Sequence, residues 1–379
     1  MSAAACVLAL LPSSLTRSHQ AIAASEHEVA LLRVPDSGLQ PRAVIDSTGV
    51  HVVYFNGEPS HGDVFYTRLS NGRFAPAVRV NTQAGSAIAT GNVRGPSLAL
   101  GRDGRVHVAW MGSDMAPRTG DAAPMLYARS RADGTFEPER NVHQNPGPID
   151  GGSIGADRGG HVYIAWHSES PGSRGESNRR AWVAHSNDDG TTFAHEAAAS
   201  PPEAGACGCC GTGTFVDTRA TLYVLFRSAR ETSHREAVLL TSSDRGATYT
   251  SRSLQDWQIS ACPMSTFAFA EGDGGIVGAW ESTGQVYWAR VDGAHDDRPI
   301  AAPGSISGRK HPSIARNARG ETLLAWTEGM GWSRGGTLAW QLFDRTNAPI
   351  GETGRAEGVP AWSLVAAFAK PDGTFAIVY

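Results

Sequence analysis

The chain has 379 residues, of which 41% are hydrophobic and 18% charged, as is usual for a soluble globular protein. With 33 basic and 37 acidic residues its formal net charge is −4, so nothing indicates the basic surface that a nucleic-acid partner would need. No apolar run reaches the roughly 18–20 residues that cross a bilayer, and we therefore expect no integral membrane span.

A short apolar segment, Ala3 to Leu11, stands near the N-terminus, and Ala21-Ile22-Ala23 follows it as a small-x-small cleavage pattern. Together they resemble a secretory signal peptide that lacks its positively charged start. The alternative is a frayed or wrongly started N-terminus. We predict a signal peptide over residues 1–25, one domain over 26–379 and a secreted or periplasmic protein. Cleavage after Ala23 would remove Cys6 and leave four cysteines.

A short apolar strand that ends in an aromatic residue returns seven times along the chain. Its terminal aromatics, which stand 46 to 60 residues apart by subtraction of their positions, are Tyr54, Trp110, Trp166, Phe226, Trp280, Trp326 and Tyr379. A repeat of this length predicts radial repetition or a solenoid. The β-branched and aromatic residues predict buried strands rather than helices.

Each repeat follows one order. An inner strand comes first, then a turn rich in Asp and Gly, the aromatic-ended strand, a third strand, and a fourth strand poor in hydrophobic residues. This order predicts an all-β protein, a β-propeller of four-stranded antiparallel blades. Seven inner-strand pairs but only six third strands favour seven blades, with six as the alternative. We expect Val29–Val34 to supply the outer strand of the last blade and to close the ring.

Two turns, at residues 186–193 and 242–249, share the pattern Ser-x-Asp-x-Gly-x-Thr-aromatic. The Asp can accept backbone N–H bonds within its own turn, the Gly can adopt positive φ, and the aromatic ring can pack on the sheet. The residues that we assign this structural role are Asp188, Gly190, Phe193, Asp244, Gly246 and Tyr249.

This pattern resembles the Asp-box of the sialidase (neuraminidase) family and of related BNR-repeat propellers, and the repeat extends the resemblance over most of the chain. The resemblance implies a propeller and, if the chain is an enzyme, a glycoside hydrolase of the exo-α-sialidase type. It further implies an Arg triad for the substrate carboxylate, a Tyr–Glu nucleophile pair and an Asp acid/base. The nearest match to the family's Arg-Ile-Pro motif is Arg33-Val34-Pro35, within the predicted outer strand, and no Tyr matches a nucleophile motif.

The starts of the inner strands should ring one mouth of the central channel, and the ends of the aromatic-ended strands should reach the same mouth. Polar or reactive residues stand at most of these positions. We predict that three carboxylates act as acid or base: Asp150, Glu281 and Glu328. We predict that a further set binds a glycan or another anionic small molecule: Arg94, His167, Arg227, His234, Arg235, His311 and Trp362. The alternative is a set of ordinary loop residues and surface salt bridges.

Sulfur ligands are concentrated in two neighbouring repeats, and those that could meet at the mouth are Cys207, Cys209, Cys210, Cys262 and Met264. Thiolate and thioether ligands select Cu(I) or Zn(II), which are therefore the candidate cofactors. The alternative is disulfide bonding, with Cys262 bridged to one member of the cluster, or one disulfide beside two spare thiols.

Three functions remain open from the sequence. The first is an exported, monomeric, sialidase-like propeller that binds, and perhaps cleaves, a glycan or another anionic ligand. The second is a propeller with a copper or zinc site. The third is a non-catalytic scaffold that binds a protein at its rim.

Overall fold

The computed structural model describes Met1 and residues 27–91, 93–117, 122–293, 298–305 and 307–379. Residues 2–25 of the predicted signal peptide, including Cys6, lie outside the described residues. The described part of the chain is almost entirely β-strand, and its helices are four short 3₁₀ turns: Pro35–Ser37, Arg102–Gly104, Glu176–Asn178 and Pro202–Ala204. None of the helices in these described ranges is long and apolar enough to cross a membrane.

The strands form seven sheets, which we call blades 1 to 7 and number in chain order after the first strand, β1 (Val29–Leu32). Blade 1 contains β2 (Leu39–Asp46), β3 (Gly49–Glu58), β4 (His61–Ser70), β5 (Arg73–Phe74) and β6 (Val78–Arg79). Blade 2 contains β7 (Ser97–Leu100), β8 (Val106–Met111), β9 (Met125–Arg129) and β10 (Arg140–Asn141). Blade 3 contains β11 (Ile149–Ala156), β12 (Val162–Glu169), β13 (Arg179–Ser186) and β14 (Ala197–Ala198).

The remaining blades follow in the same way. Blade 4 contains β15 (Gly213–Val216), β16 (Leu222–Arg227), β17 (Ala237–Ser242) and β18 (Thr250–Gln255). Blade 5 contains β19 (Ala268–Gly272), β20 (Gly275–Ser282), β21 (Gln285–Arg290) and β22 (Ile300–Ala301). Blade 6 contains β23 (Arg309–Arg316), β24 (Thr322–Glu328), β25 (Gly336–Phe343) and β26 (Pro349–Val359). Blade 7 contains β27 (Ala366–Ala369), β28 (Phe375–Val378) and β1.

The seven blades form a closed ring. Each innermost strand contacts the innermost strand of the next blade, from β2 through β7, β11, β15, β19 and β23 to β27, and β27 contacts β2 again. Seven hydrophobic clusters fill the interfaces between adjacent blades. The aromatic residues that end the second strands lie in these interfaces, where each buried apolar side chain contributes about 1.5–3 kcal/mol. The predicted all-β, seven-bladed propeller is confirmed, and the six-bladed alternative is wrong.

Blade 7 differs from the predicted four-stranded antiparallel blade. It has three strands, and β1 pairs in parallel with β28, with Val29 opposite Phe375 and Leu32 opposite Val378. Backbone bonds extend the pairing, since Val34 N–H donates to Tyr379 O and Tyr379 N–H donates to Leu32 O. The N-terminal strand therefore occupies the third position of the blade, as expected, and ties both ends of the described chain together.

The Asp-containing turns contain the hydrogen bonds that their sequence favours. In the first, Ser186 Oγ donates to Asp188 Oδ1 (2.8 Å), and Asp188 Oδ1 accepts from Thr192 N–H (2.8 Å). Gly190 has a φ of +74° and donates to Ser186 Oγ (2.9 Å). The ring of Phe193 packs edge-on against Tyr127 of the neighbouring blade. The second turn repeats these bonds around Asp244, with Gly246 at a φ of +82° and Tyr249 packed into the next blade interface.

Candidate functional site

Three cysteines lie on the loop that connects β14 to β15, and backbone hydrogen bonds hold this loop to three blades. Cys207 N–H donates to Arg227 O (2.9 Å) within blade 4. Gly211 N–H donates to Ser265 O of blade 5 (2.9 Å), and Thr212 N–H donates to Gly151 O of blade 3 (2.7 Å). The cysteines are therefore held in place by the ring and not by the loop alone.

The loop crosses the mouth of the central channel. A Cβ atom added to Gly211 would lie 3.4 Å from Thr266 of blade 5 and 3.6 Å from Val93 of the blade 2 segment. At the same mouth Gln40 and His311 are buried, and Gln40 Nε2 donates to the carbonyl oxygen of Trp362 (2.8 Å). Cys210 is therefore close to the axis of the ring, as the repeat predicts for a residue at the start of an inner strand.

Two glycines allow this close packing. Gly151 has a φ of +66°, and a Cβ there would lie 2.4 Å from the carbonyl oxygen of Cys210. Gly208, between the first two cysteines, donates its N–H to Glu176 Oε1 (2.6 Å), and a Cβ there would meet Arg179 at 2.9 Å. Only a residue without a side chain fits either place without displacing its neighbours.

The three sulfur atoms form one cluster. The Sγ atoms of Cys207, Cys209 and Cys210 all lie within 4.8 Å of one another, and those of Cys207 and Cys209 are 3.3 Å apart. Cys207 and Cys210 are buried, Cys209 is partly exposed, and all three are free thiols. Metal–sulfur bonds of about 2.3 Å would place three ligand sulfurs about 3.8–4.0 Å apart, so an ion fits after shifts of about 1 Å or less.

Positive charge surrounds the cluster. Burial opposes ionisation of Cys210, but hydrogen bonds from Cys207 and Cys209 and the charge of Arg227 lower its pKa well below the usual value. The pKa of Cys209 is raised, first by its hydrogen bond with Cys207. The positive charge of Arg227 therefore favours the thiolate form of Cys210. Burial alone would lower the pKa of Arg235, yet the charges of Cys207 and Glu176 raise that pKa. Arg235 forms an ion pair with Glu176 at 2.7 Å.

Several buried polar atoms beside the cluster have no hydrogen-bond partner among the described residues. They are Arg179 Nε, Arg227 Nε, Arg235 Nε, Arg235 Nη1 and Glu281 Oε2. The other donors of Arg227 are used, since its Nη1 and Nη2 atoms each donate to a carbonyl oxygen at 2.7 Å. Because buried donors without partners are costly, these guanidinium groups favour an anionic group at the mouth.

Comparison with known proteins identifies the architecture. Neither a protein-family model nor a curated protein sequence matches this chain. Among solved structures it is similar to the Hadza microbial sialidase Hz136, with 13% identity and a TM-score of 0.52 over 85% of this chain and 74% of that one. It is also similar to a Penicillium chrysogenum alpha-L-arabinanase complexed with arabinobiose, with 13% identity and a TM-score of 0.54 over 83% of this chain and 96% of that one.

A third similar structure is the GH93 alpha-L-arabinofuranosidase of Fusarium graminearum, with 11% identity and a TM-score of 0.55 over 84% of this chain and 98% of that one. This chain has the fold of a sialidase-like β-propeller. At these identities the similarity concerns the fold alone, and the roles of individual residues have to be argued from the site.

Two of the three predicted acid–base residues lie at the mouth of this sialidase-like propeller. The Asp150 carboxylate accepts two hydrogen bonds from the Arg94 guanidinium, from Nε at 2.9 Å and from Nη2 at 2.8 Å. Glu281 is buried, and burial raises its pKa to about 7 although Arg227 and Lys310 oppose the shift. Asp150 is therefore engaged in an ion pair, whereas Glu281 is a buried carboxyl that can change its protonation state near neutral pH.

Glu328 is held elsewhere in the propeller. Its carboxylate lies 3.2 Å from both Arg309 of β23 and Arg355 of β26, and it accepts from Trp326 Nε1 at 2.9 Å. The end of its strand does reach the mouth, but these partners direct the side chain into blade 6. The contacts that the structure gives Glu328 are those of a structural ion-pair residue.

The predicted ligand-binding histidines divide into two groups. His167 is buried, and its Nε2 lies 2.8 Å from the carbonyl oxygen of Cys210, so it positions the cysteine loop. Burial lowers the pKa of His167 and, with Lys310 and Arg42, lowers that of His311 to about 3, so both are neutral. His234 instead lies within 4.0 Å of Glu231 and Glu236 on a partly exposed loop of blade 4.

Cys262 does not join the sulfur cluster. Cys262 is exposed and is not among the three cysteines whose sulfurs lie within 4.8 Å of one another, so the predicted meeting of four thiols is wrong. The neighbouring Pro263 carbonyl accepts from Lys310 Nζ (2.6 Å), which fixes the path of this loop. Met264 lines a separate small cavity beside His311 and Trp332.

Three residues of the site were not among the predicted set. Glu176 lies in the connection between β12 and β13 and Arg179 is the first residue of β13, and both lie against Gly208 in the cysteine loop. Trp332 is about half exposed on the loop between β24 and β25. The signal available for Trp332 is a large aromatic residue in a short Gly-flanked loop, where packing does not require one.

Proposed function

We propose that this chain is a metal-binding β-propeller that holds a thiophilic ion, Cu(I) or Zn(II), on Cys207, Cys209 and Cys210. One observation carries the proposal: three sulfur atoms within 4.8 Å of one another at the mouth of the ring. Thiolates are the ligands that Cu(I) and Zn(II) prefer, and a fixed cluster needs little rearrangement to bind.

The charges around the cluster support the same function. Three thiolates give an anionic complex with either ion, because the negative charge of the sulfurs exceeds that of the metal. The arginines that face the cluster supply the opposing charge, and Arg227 and Arg235 also have buried N–H groups free to donate to sulfur. Hydrogen bonds of this kind to metal ligands commonly tune affinity.

Elemental analysis of protein purified without chelator tests this proposal. We expect one copper or zinc ion per chain in the wild-type protein and its loss in Cys210→Ser. Cys262→Ser is the matched control, because it removes an exposed thiol outside the cluster and should leave the ion bound. Metal retained in Cys210→Ser, or a wild-type protein that binds neither ion, would overturn the proposal.

A thiol titration of the same sample distinguishes metal binding from the disulfide alternative. Metal-bound thiolates become reactive after a chelator has been added, whereas a disulfide needs a reductant. We expect the thiols of the cluster to appear on addition of chelator alone. A thiol count that does not change with chelator and rises only after reduction would assign the cluster to disulfide bonding.

A second candidate function is the binding of a glycan or another anionic ligand at the same mouth. The observation that favours it is Trp332, which is 51% exposed and lines a small cavity with Lys310 and His311. Exposed indole rings offer an apolar face and a polar N–H, which suits sugar rings. Two of the similar folds described above are a sialidase and an arabinanase complexed with arabinobiose.

A panel of glycans and fluorogenic glycosides tests this candidate. If Trp332 stacks on a sugar, Trp332→Ala should abolish binding, whereas Met115→Ala, equally exposed elsewhere, should not. Turnover that disappears in Glu281→Gln would make the protein a hydrolase. Binding without turnover would leave it a lectin-like protein, and no binding to any member of the panel would remove this candidate.

The proposed export of the chain rests on residues 1–25 alone. N-terminal sequencing of the mature protein should begin near Ser25 if cleavage follows the Ala21-Ile22-Ala23 pattern. A mature protein that retains Met1 would contradict export by this route.

A further inference from the structure

The central channel is a second potential site, separate from the cysteine cluster. It forms a cavity of about 1230 Å³ that extends from the turns between first and second strands, such as Asp103 and Asp157, to Gln40 and Gly211 at the other end. None of the three clustered cysteines lines it. A ligand could therefore enter by the turn face, opposite the mouth that carries the cysteines.

One level of the channel wall can be compared between all seven blades. The level is defined by strand pairing. In each blade we take the residue of the second strand that immediately precedes its terminal aromatic, and then the innermost-strand residue that pairs with it. The seven residues are Arg42, Ser97, Ser153, Gly213, Ala268, Ser313 and Ala366. All of them line the channel. Six are small and leave the channel wide, and the seventh is an arginine.

The Arg42 side chain has no hydrogen bond or ion pair among the described residues. Burial lowers its pKa to about 10, and no carboxylate among the described residues supplies a counter-charge. The residue is only partly buried, so its guanidinium faces the interior of the channel. Its charge also contributes to the lowered pKa of His311, after the larger effect of burial there. Because His311 belongs to blade 6 and blade 7 lies between, Arg42 extends into the channel rather than along its own blade. An unpaired cation that faces the interior of a channel raises the local concentration of small anions there.

Two hydroxyl groups at the same level have unused donors. Ser97 Oγ accepts from Ile154 N–H (3.4 Å) and Ser313 Oγ accepts from Ala367 N–H (2.9 Å). The described residues offer neither hydroxyl hydrogen an acceptor. An anion beside Arg42 could therefore receive a guanidinium fork and hydroxyl hydrogens from two other blades.

The charges at the channel rim indicate what kind of anion fits. Besides Arg42 the wall includes the charged residues Arg158, Arg245, Arg316, Asp46, Asp103, Asp157, Asp217 and Glu271. Five acidic groups against three basic ones at the rim disfavour a polyanion. The planar guanidinium matches a carboxylate in a bidentate geometry. We infer that the central channel binds a small, singly charged carboxylate on Arg42, with the hydroxyls of Ser97 and Ser313 beside it.

Acetate is the simplest probe, and it can be titrated into the metal-free or metal-loaded protein by calorimetry and by thermal unfolding. We expect saturable binding and a rise in Tm for the wild-type protein. Arg42→Gln should bind acetate about tenfold more weakly or not at all, since it loses a charge-assisted hydrogen bond.

Arg158→Gln is the matched control, because it removes the same charge from the exposed rim of the same channel. It should bind acetate like the wild-type protein, and so should Cys210→Ser, which separates this inference from the metal proposal. Phosphate should bind more weakly than acetate. Equal acetate effects in wild type and Arg42→Gln, or equal losses in Arg42→Gln and Arg158→Gln, would overturn the inference.

Discussion

The two ends of the innermost strands differ in how far their residues repeat from blade to blade. At the turn end the blades repeat the same Asp- and Gly-containing connection, as at Asp103-Gly104, Asp157 to Gly160 and Asp372-Gly373. At the mouth end each blade has a different residue, among them Gln40, Arg94, Asp150, Cys210 and His311. The residues at the turn end close β-hairpins and so support the fold. The residues at the mouth end do not form these turns, and they are therefore available for ligand binding or catalysis.

Backbone conformation shows the same difference. At the turn end the left-handed conformation falls mostly on residues that tolerate it, such as Gly104, Gly160 and Asp103. At the mouth it falls on larger side chains, with a φ of +51° at Gln40 and Met264, +52° at His311 and +56° at Trp362. Such residues cost about 1–3 kcal/mol each and persist where the surroundings hold them in place. At the mouth, that cost falls on side chains that are larger than those of the turn residues.

The largest effect is expected from a substitution that displaces the backbone at the mouth. Gly151→Ala would place a Cβ 2.4 Å from the Cys210 carbonyl oxygen. We expect the free energy of unfolding to fall by about 2–4 kcal/mol and the metal to be lost, as denaturant titration and elemental analysis would measure. Gly172→Ala is the control, since Gly172 also has positive φ but no atom within 4 Å, and it should cost only about 1 kcal/mol. Equal effects of the two substitutions would contradict the packing described for Cys210.

A smaller perturbation removes one charge beside the sulfurs. Arg235→Met should weaken metal binding about 10- to 100-fold, because it removes a positive charge beside Cys207 and N–H groups that are free to donate to the sulfurs. A competition assay with a chromogenic chelator measures this change. Arg230→Met tests specificity, since Arg230 lies in the same loop but pairs with Glu236 and is 41% exposed. A metal affinity that falls equally in both variants would show only a general effect of charge.

The turn end should respond in stability alone. Ser186→Ala removes the hydroxyl that donates to Asp188 and accepts from Gly190 N–H. We expect the free energy of unfolding to fall by about 1 kcal/mol, with the metal content unchanged. Ser47→Ala, at an exposed turn position of blade 1, should change neither quantity. Loss of metal in Ser186→Ala would mean that the two ends are coupled.

The smallest effect concerns pH. Hydrogen bonds from the Thr248 hydroxyl and N–H and from Ser242 lower the pKa of Asp244 from 3.8 to about 2. Because the pKa is lower in the folded state, the carboxylate stabilises the fold above about pH 4, and this contribution is lost as the pH falls toward 2. Asp244→Asn should therefore show a shallower decline of stability between pH 4 and 2. An unchanged decline, measured by denaturant titration at each pH, would contradict the role of the carboxylate in its turn.

The fold could be predicted from the sequence because the same strand pattern recurs in every blade. Seven copies of an aromatic-ended strand predict the blades, and the last repeat lacks a third strand, which predicts its pairing with Val29–Val34 from the other end of the chain. The parallel direction of that pairing and the missing fourth strand of blade 7 were not predictable, since they depend on how one strand enters an existing sheet.

The site was readable only where contacts are local. Cys207, Cys209 and Cys210 stand within four residues, so one loop can bring their sulfurs together, as it does in the structure. Cys262 depends on the path of a loop without a repeat, which Lys310 fixes through Pro263. The exposure of Arg42 to the channel depends on a register shift between Leu39 and Arg42, and a strand pattern alone does not give the position of such a bulge.

The proposed metal site lies at the mouth end of the ring, where three sulfurs would bind a thiophilic ion. X-ray absorption at the metal edge of the copper- or zinc-loaded protein tests it most directly. We expect three sulfur scatterers at about 2.3 Å in the wild-type protein and in Cys262→Ser, and no specifically bound metal in Cys210→Ser. A shell of nitrogen and oxygen alone, or a three-sulfur shell that survives in Cys210→Ser, would contradict it.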